Sequence, residues 1–331
     1  MVQIPVLFQQ AGWLIPTIFF GYIGILAGLT SLFLAKAVSQ VPGNKNLNER
    51  MEFSNLAKLL FPRWLYLLSF IALIFNFQVT NMSSIVVSAQ TMDSTLLASA
   101  RKTCALVIWD PDGVLTTNVG VNGTTTTSTS IWACVDADSD NIVTDSPFGS
   151  AYVISLGYLI TMAITIPLGY LNLDDNIWVQ YGGFILLLGC ILAWVVQFGV
   201  SGLDITRMPA VKWSGMGAVI PTVVFNWGFL TTLPSWLNEK NPNVSVAKAT
   251  WVSIIISGIM FILLGILGGL ALDYPGGEDL LAAIDDPHTP NVFLISKIAT
   301  YVFPSAALLS GIPVFSIIIR YNLLENHIMN K

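Results

Sequence analysis

The sequence predicts an all-α membrane protein with several spanning helices, one of them broken. Three observations carry this. Apolar residues fill 54% of the 331 positions and charged residues 10%, where soluble domains hold about a quarter charged. Seven apolar runs are long enough to supply the roughly 20 helical residues that cross about 30 Å of hydrocarbon. One of them, VIPTVVFNWGFLTTLPSWLNE from Val219 to Glu239, is punctuated by Pro221, Gly228 and Pro234 around a centre of Asn226 and Trp227. A helix in lipid must satisfy its own backbone, so an interruption is tolerated where protein or a watery cavity supplies partners. In secondary transporters that cavity is usually the substrate site, because half-helix ends offer N–H and C=O groups to a charged solute. A proline-kinked span with a packing role is the plainer reading of the same residues.

In chain order the runs fall near 14–37, 64–90, 151–171, 177–200, 215–236, 250–273 and 293–320. A shorter piece, MVQIPVLFQQAGW, precedes them. It has no basic start and is followed by a stretch from Leu14 long enough to span, so it does not read as a cleavable signal peptide. Three connections are long: a polar, basic one at 39–61, one rich in Thr, Ser, Asp and Gly at 91–149, and an acidic one at 273–291 in which EDLLAAIDD suggests a short surface helix. Gly24/Gly28 and Gly265/Gly269 have the spacing that lets two helices approach closely, and packing is their expected role.

Charge orients the spans. With the 38–63 connection on the cytoplasmic side, alternation puts 237–249 and the C-terminus there too. That side then holds Lys36, Lys45, Arg50, Lys58, Arg63, Lys240, Lys248, Arg320 and Lys331, nine of the 14 basic residues, in the direction of the positive-inside rule. The 91–149 loop is then lumenal or extracellular. It contains the glycosylation sequon Asn122-Gly123-Thr124 between Cys104 and Cys134. Those two cysteines can pair if the loop faces an oxidising compartment, and otherwise remain thiols. The sequons at Asn81 and Asn243 fall in a span and on the cytoplasmic side, and are expected to be silent.

Several function classes are disfavoured. Fourteen basic residues against 19 acidic, with no basic block, argue against nucleic acid as a partner. Two histidines, His288 and His327, both outside the spans, leave no His-rich metal site, and no GxSxG nucleophile motif occurs. Asp136, Asp138, Asp140 and Asn141 imitate the start of a calcium loop, but Pro147 stands where a bidentate Glu is needed. No cofactor and no enzyme activity are expected. Inside the spans, Asn76, Thr80, Ser84 and Ser88 recur every four residues and share one helical face. Either interhelical packing or a pathway lining accounts for such a stripe, and on the second reading Asn76 and Thr80 are candidates for substrate contact. The last run carries Thr300, Ser305, Ser310 and Ser316 beside Pro304 and Pro313. Hydroxyls next to freed carbonyls suit a hard cation such as Na⁺, with interhelical hydrogen bonding the alternative.

MVQIPVLFQQAGW, through Pro5, Phe8, Ala11, Gly12 and Trp13, resembles the end of the first helix of the amino acid/auxin permease family. Ile166–Phe184 resembles that family's link between its fourth and fifth helices, and SGIPVFSIIIRYNLLEN its eighth helix. The resemblance covers nearly the whole chain apart from 91–149. It implies an inverted-repeat fold of five plus five helices with discontinuous helices one and six, read here as one transmembrane domain over 1–331 that spans helices 1b to 8. It also implies an amino acid bound between the two breaks, with Phe225, Asn226, Trp227 and Gly228 as sixth-helix contacts and Ser310 as an ion-binding or backbone-positioning hydroxyl. The implied function is secondary amino acid transport coupled to H⁺ or Na⁺, in a plasma or vacuolar membrane. A transporter-like amino acid sensor and a non-transporting fragment are the alternatives. The family's unwound stretch upstream of Pro5 and its ninth to eleventh helices have no counterpart in these 331 residues. The second repeat is therefore expected to be incomplete, and uptake by this chain alone weak.

The orientation is checked by expression in a eukaryotic cell with and without endoglycosidase. A mobility shift is expected in the wild type and not in Asn122→Gln, whereas modification at Asn243 inverts the topology.

Overall fold

The computed structural model describes residues 1–42, 44, 50–109, 117–119, 125–127, 131–136, 147–148, 151–173, 175–274, 279–286, 289 and 291–328, with backbone alone at 98, 117–119, 125–127, 305, 307–310 and 325–328. The described chain is mostly helical. Five stretches are long and apolar enough to cross a bilayer: Leu14–Gln40, Arg63–Leu97, Ile177–Ser201, Trp213–Glu239 and Val246–Ala271. The chain is therefore a membrane protein. Large apolar side chains such as Phe33, Phe75 and Leu192 stand exposed on these helices, as a lipid-facing surface requires. Internal contacts divide the chain into two compact units, one of Met1–Phe77, Gly189–Lys297 and Ile318–Lys331, the other of Gln78–Leu188 and Ile298–Ile317.

The first unit is built on α1 (Ile4–Ala11), α2 (Leu14–Gln40), α7 (Met216–Asn226), α8 (Leu233–Glu239) and α9 (Val246–Ala271), which pack on one another. Its core joins Phe8 and Phe20 to Val223, Trp227 and Phe261. The glycine pairs set how closely the helices approach. A Cβ at Gly265 would lie 2.5 Å from the Phe8 ring, one at Gly268 2.9 Å from Pro5, and one at Gly28 2.9 Å from Ile254. Gly12 turns the chain from α1 into α2 at φ 86°, where a side chain would meet Ala210 O at 2.6 Å. Strand-like bonds flank that turn: Lys212 N donates to Ala11 O, Trp13 N to Pro209 O and Leu14 N to Ala210 O. Smaller helices complete the unit, α3 (Phe53–Leu60) and α10 (Leu280–Asp285), the latter where EDLLAAIDD suggested one.

The second unit holds the C-terminal part of α4 (Arg63–Ala100), α5 (Leu156–Tyr170), the start of α6 (Ile177–Ser201) and the middle of α11 (Leu294–Ile328). It also contains what an all-α reading did not foresee, a three-stranded antiparallel sheet in the order β4 (Trp132–Asp136), β1 (Lys102–Trp109), β5 (Tyr152–Ser155). A separate two-stranded ladder joins β2 (Thr117–Val119) to β3 (Thr125–Thr127). Cys104 lies opposite Cys134 in the β1–β4 register, and the two are disulfide-bonded. Arg101, at φ 60°, separates α4 from β1. The loop thus starts ten residues later than hydropathy suggested, and the 151–171 run divides into a strand and a 15-residue helix. The reason is local pairing. Ala105, Leu106 and Val107 take Ser155, Ile154 and Val153 as ladder partners, so Tyr152–Ser155, which hydropathy assigns to a helix, is extended instead.

Asp93 ties the helices to the sheet. Buried in α4, its Oδ1 accepts from Thr103 Oγ1 at 2.9 Å and from Gly157 N at 2.8 Å. The second bond satisfies a free donor in the first turn of α5. Ser155 Oγ caps the same turn by accepting from Tyr158 N. Asp93→Ala leaves a buried hydroxyl and a buried amide without this acceptor, and is expected to cost about 3 kcal/mol. Thr103→Val removes one donor and is expected to cost about 1 kcal/mol. Thermal unfolding in detergent, with the disulfide intact, measures both.

Candidate functional site

The 219–239 run is discontinuous. Helix α7 ends at Asn226, Trp227 leaves helical geometry at φ −97°, ψ 13°, a 3-10 turn covers Gly228–Thr232, and α8 begins at Leu233. Pro221 lies inside α7 and Pro234 in the first turn of α8, where its missing N–H costs nothing. Neither proline marks the break, which falls at the polar centre.

A cavity of about 430 Å³ opens at the break, within the roughly 300–1,000 Å³ of small-molecule sites. Asn226, Trp227 and Phe229 line it at the interruption, Thr232, Leu233 and Trp236 along the turn and α8, and Thr250, Ser253, Ser257 and Phe261 along α9. No charged residue is among its lining residues. The indole of Trp227 is held edge-on to Phe261, with ring centroids 5.4 Å apart. It fits over Gly24 of α2, whose Cβ would lie 3.0 Å from the ring, and near Gly258 of α9. Trp227 Nε1 is buried without a hydrogen-bond partner among the described residues. Asn226 Nδ2 turns back to Thr222 O at 2.8 Å and so satisfies a carbonyl at the end of α7.

Thr250, Ser253 and Ser257 form a row of hydroxyls at i, i+3 and i+7 on the cavity face of α9. The sequence reading missed them, although that spacing within an apolar helix was a readable signal. Of the sixth-helix candidates, Asn226 and Trp227 face the cavity. Phe225 is 74% exposed, and Gly228, also exposed, has no atom within 4 Å of a built Cβ; neither lines the cavity. Asn76 is exposed and Thr80 half-buried on α4, and neither lines it. Further along the same stripe Ser88 is buried, and Asn81 donates to Ser316 Oγ at 2.9 Å. The side chain of Ser310 and the whole of Asn122 lie outside the described residues.

Behind the cavity, α8 is fastened by a buried carboxylate that nothing in the sequence singled out. Glu52, just before α3, accepts from Ser235 Oγ at 2.6 Å, Asn238 Nδ2 at 2.8 Å and Asn322 Nδ2 at 3.4 Å. Its neighbours reinforce the contact. Met51 N donates to Asn238 Oδ1 and Ser54 N to Asn322 Oδ1. Arg50 pairs with Glu239 at 3.1 Å and sits over the Tyr321 ring.

The glycine under the indole gives a direct check of the site's packing. Gly24→Val is expected to displace Trp227 and to cost about 1–3 kcal/mol through overpacking. Gly21→Val, less than one turn away with nothing within 4 Å of its Cβ, is expected to change little. Thermal unfolding of the two variants side by side measures the difference.

Set against protein-family models, curated proteins and solved structures, the chain matches none.

Proposed function

We propose that the chain is the transmembrane part of a secondary transporter that moves an amino acid by alternating access, coupled to H⁺ or Na⁺, in a plasma or vacuolar membrane. The observation that carries this reading is the cavity at the interruption between α7 and α8. An amino acid is a small zwitterion, and the cavity offers something to each end of it. The C-terminus of α7 presents the negative end of its dipole to an ammonium group. The α9 hydroxyls supply donors to a carboxylate. Phe229, Leu233, Trp236 and Phe261 give an apolar wall for a side chain. The resemblance of Pro5–Trp13, Ile166–Phe184 and Ser310–Asn326 to the amino acid/auxin permease family supports the same substrate class. On this reading the inverted repeat is the frame, and the 91–149 loop faces the lumen or the exterior.

The test is equilibrium binding of labelled L-amino acids to the purified protein, with uptake into proteoliposomes alongside. Ser253→Ala removes a hydroxyl of a residue that lines the cavity and is exposed. The variant is expected to retain stability while affinity falls about tenfold, the worth of one lost hydrogen bond of about 1.4 kcal/mol. Absence of saturable binding across the amino acids overturns the reading. Binding without uptake favours a sensor.

A further inference from the structure

The contacts around Glu52 point to a clamp on the moving wall of the cavity. We infer that Glu52 is a positioning residue that holds α8 closed against the cavity, and that α8 swings about Trp227–Thr232 when this clamp lets go.

The inference starts from the two sides of α8. Thr232, Leu233 and Trp236 line the cavity, whereas Ser235 and Asn238 both donate to Glu52. One end of this seven-residue helix joins a 3-10 turn that begins at Gly228, an exposed glycine with open space where a side chain would be. The turn is the compliant end, since its i→i+3 bonding has poorer geometry than an α-helix. The helix is fastened at Ser235 and Asn238 by the bonds to Glu52 and at Glu239 by Arg50, and its Leu233 and Leu237 share an apolar cluster with Val38, Met51 and Leu56. Met51 and Leu56 flank Glu52 in sequence, so bonds and packing hold α8 against the same segment.

A carboxylate accepts and does not donate when ionised, and Ser235, Asn238 and Asn322 each donate to Glu52. The same carboxylate also reaches Asn322 near the end of α11, so the segment Arg50–Ser54 joins α8 to α11. Movement of that segment releases α8 and α11 together. Glu239 adds a second contact through Arg50, with the Arg50 side chain 61% and the Glu239 side chain 11% exposed. The bonds to Glu52, buried on both sides at Ser235, are the larger part of the fastening.

This inference rests on the cavity being the site of solute passage, but its test does not need a substrate. Ser257 of α9 lines the cavity, so Ser257→Cys in a Cys190→Ala background, with Cys104 and Cys134 held in their disulfide, reports access to it. The full chain in nanodiscs is reacted with a membrane-impermeant thiol reagent. Glu52→Gln places an amide N–H₂ among the donors, and the labelling rate is expected to rise several-fold. Ser235→Ala, which removes one bond to Glu52, is expected to raise it less, and Arg50→Ala least. Asp93→Ala, in the other compact unit, serves as a control for general loosening and is expected to leave the rate unchanged. An unchanged rate in Glu52→Gln overturns the clamp, as does an equal rise in Asp93→Ala. Failure to bind amino acids, with the labelling pattern as expected, would reject the transport reading and leave the clamp standing.

Discussion

A chain in hydrocarbon finds no water for its backbone, and each place where a helix stops must supply its own partners. This constraint explains much of the buried polar chemistry of the protein. At the end of α9, Gln9 Nε2 donates to Gly269 O and Leu272 O, and Arg207 Nη1 to Ala271 O. Before α11, Gln197, itself fully buried, donates to Asn291 O and accepts from Phe293 N. Asp93 serves the first turn of α5, and Glu52 with Asn238 and Asn322 serves the entry to α3. These side chains act as portable hydrogen-bonding groups, each carried to a helix end from a segment distant in sequence. Their burial is tolerable because they are paired, since an unpaired buried polar group costs roughly 1–3 kcal/mol.

Close packing does the remaining positioning. The groove of Gly265, Gly268 and Gly269 on α9 receives Pro5 and Phe8 of α1, so a helix of only eight residues is held by contact along its length rather than by its own stability. Short helices are marginal alone, and packing of one face is what sustains them. The same device recurs at Gly24, which makes room for Trp227, while Gly258 lies at ordinary contact distance from the indole. The indole then sits between α2 and α9 at the point where α7 stops. A larger residue at Gly24 would compete for that space, so the break and the helix facing it are specified together.

The apolar runs made α2, α6 and α9 legible to within a few residues at each end, because a bilayer demands long uninterrupted apolar helices and little else of comparable length satisfies it. The break at Asn226–Gly228 was legible from the polar centre, not from the prolines beside it. Pro304 and Pro313 lie within α11 without ending it, which shows how weak proline alone is as a stop signal in such helices. Helix α4 outran its apolar stretch, as Gln90, Thr91 and Asp93 lower hydropathy without breaking the helix. The strand at Tyr152–Ser155 was invisible, because a short apolar run has no period that separates a buried strand from a helix. Glu52 was invisible for a different reason. Its partners lie 183, 186 and 270 positions away in sequence, and a single glutamate in a polar connection carries no pattern.

The cavity differs from the helix ends in how its polar groups are treated. At the helix ends described above the chain brings Gln, Asp or Glu to a group that needs a partner, whereas Trp227 Nε1 is buried without one among the described residues. The row of Thr250, Ser253 and Ser257 faces the same space from α9. Ser88 Oγ and Thr161 Oγ1 are likewise buried without partners among the described residues, but a helical hydroxyl can rotate toward a carbonyl one turn back, and an indole N–H, fixed in its ring, cannot. The packing of Trp227 against Gly24 and Phe261 prevents the whole ring from turning to seek an acceptor. The ring is thus fixed by packing, and its N–H stays without a partner among the described residues because the helices around it leave it no room to turn.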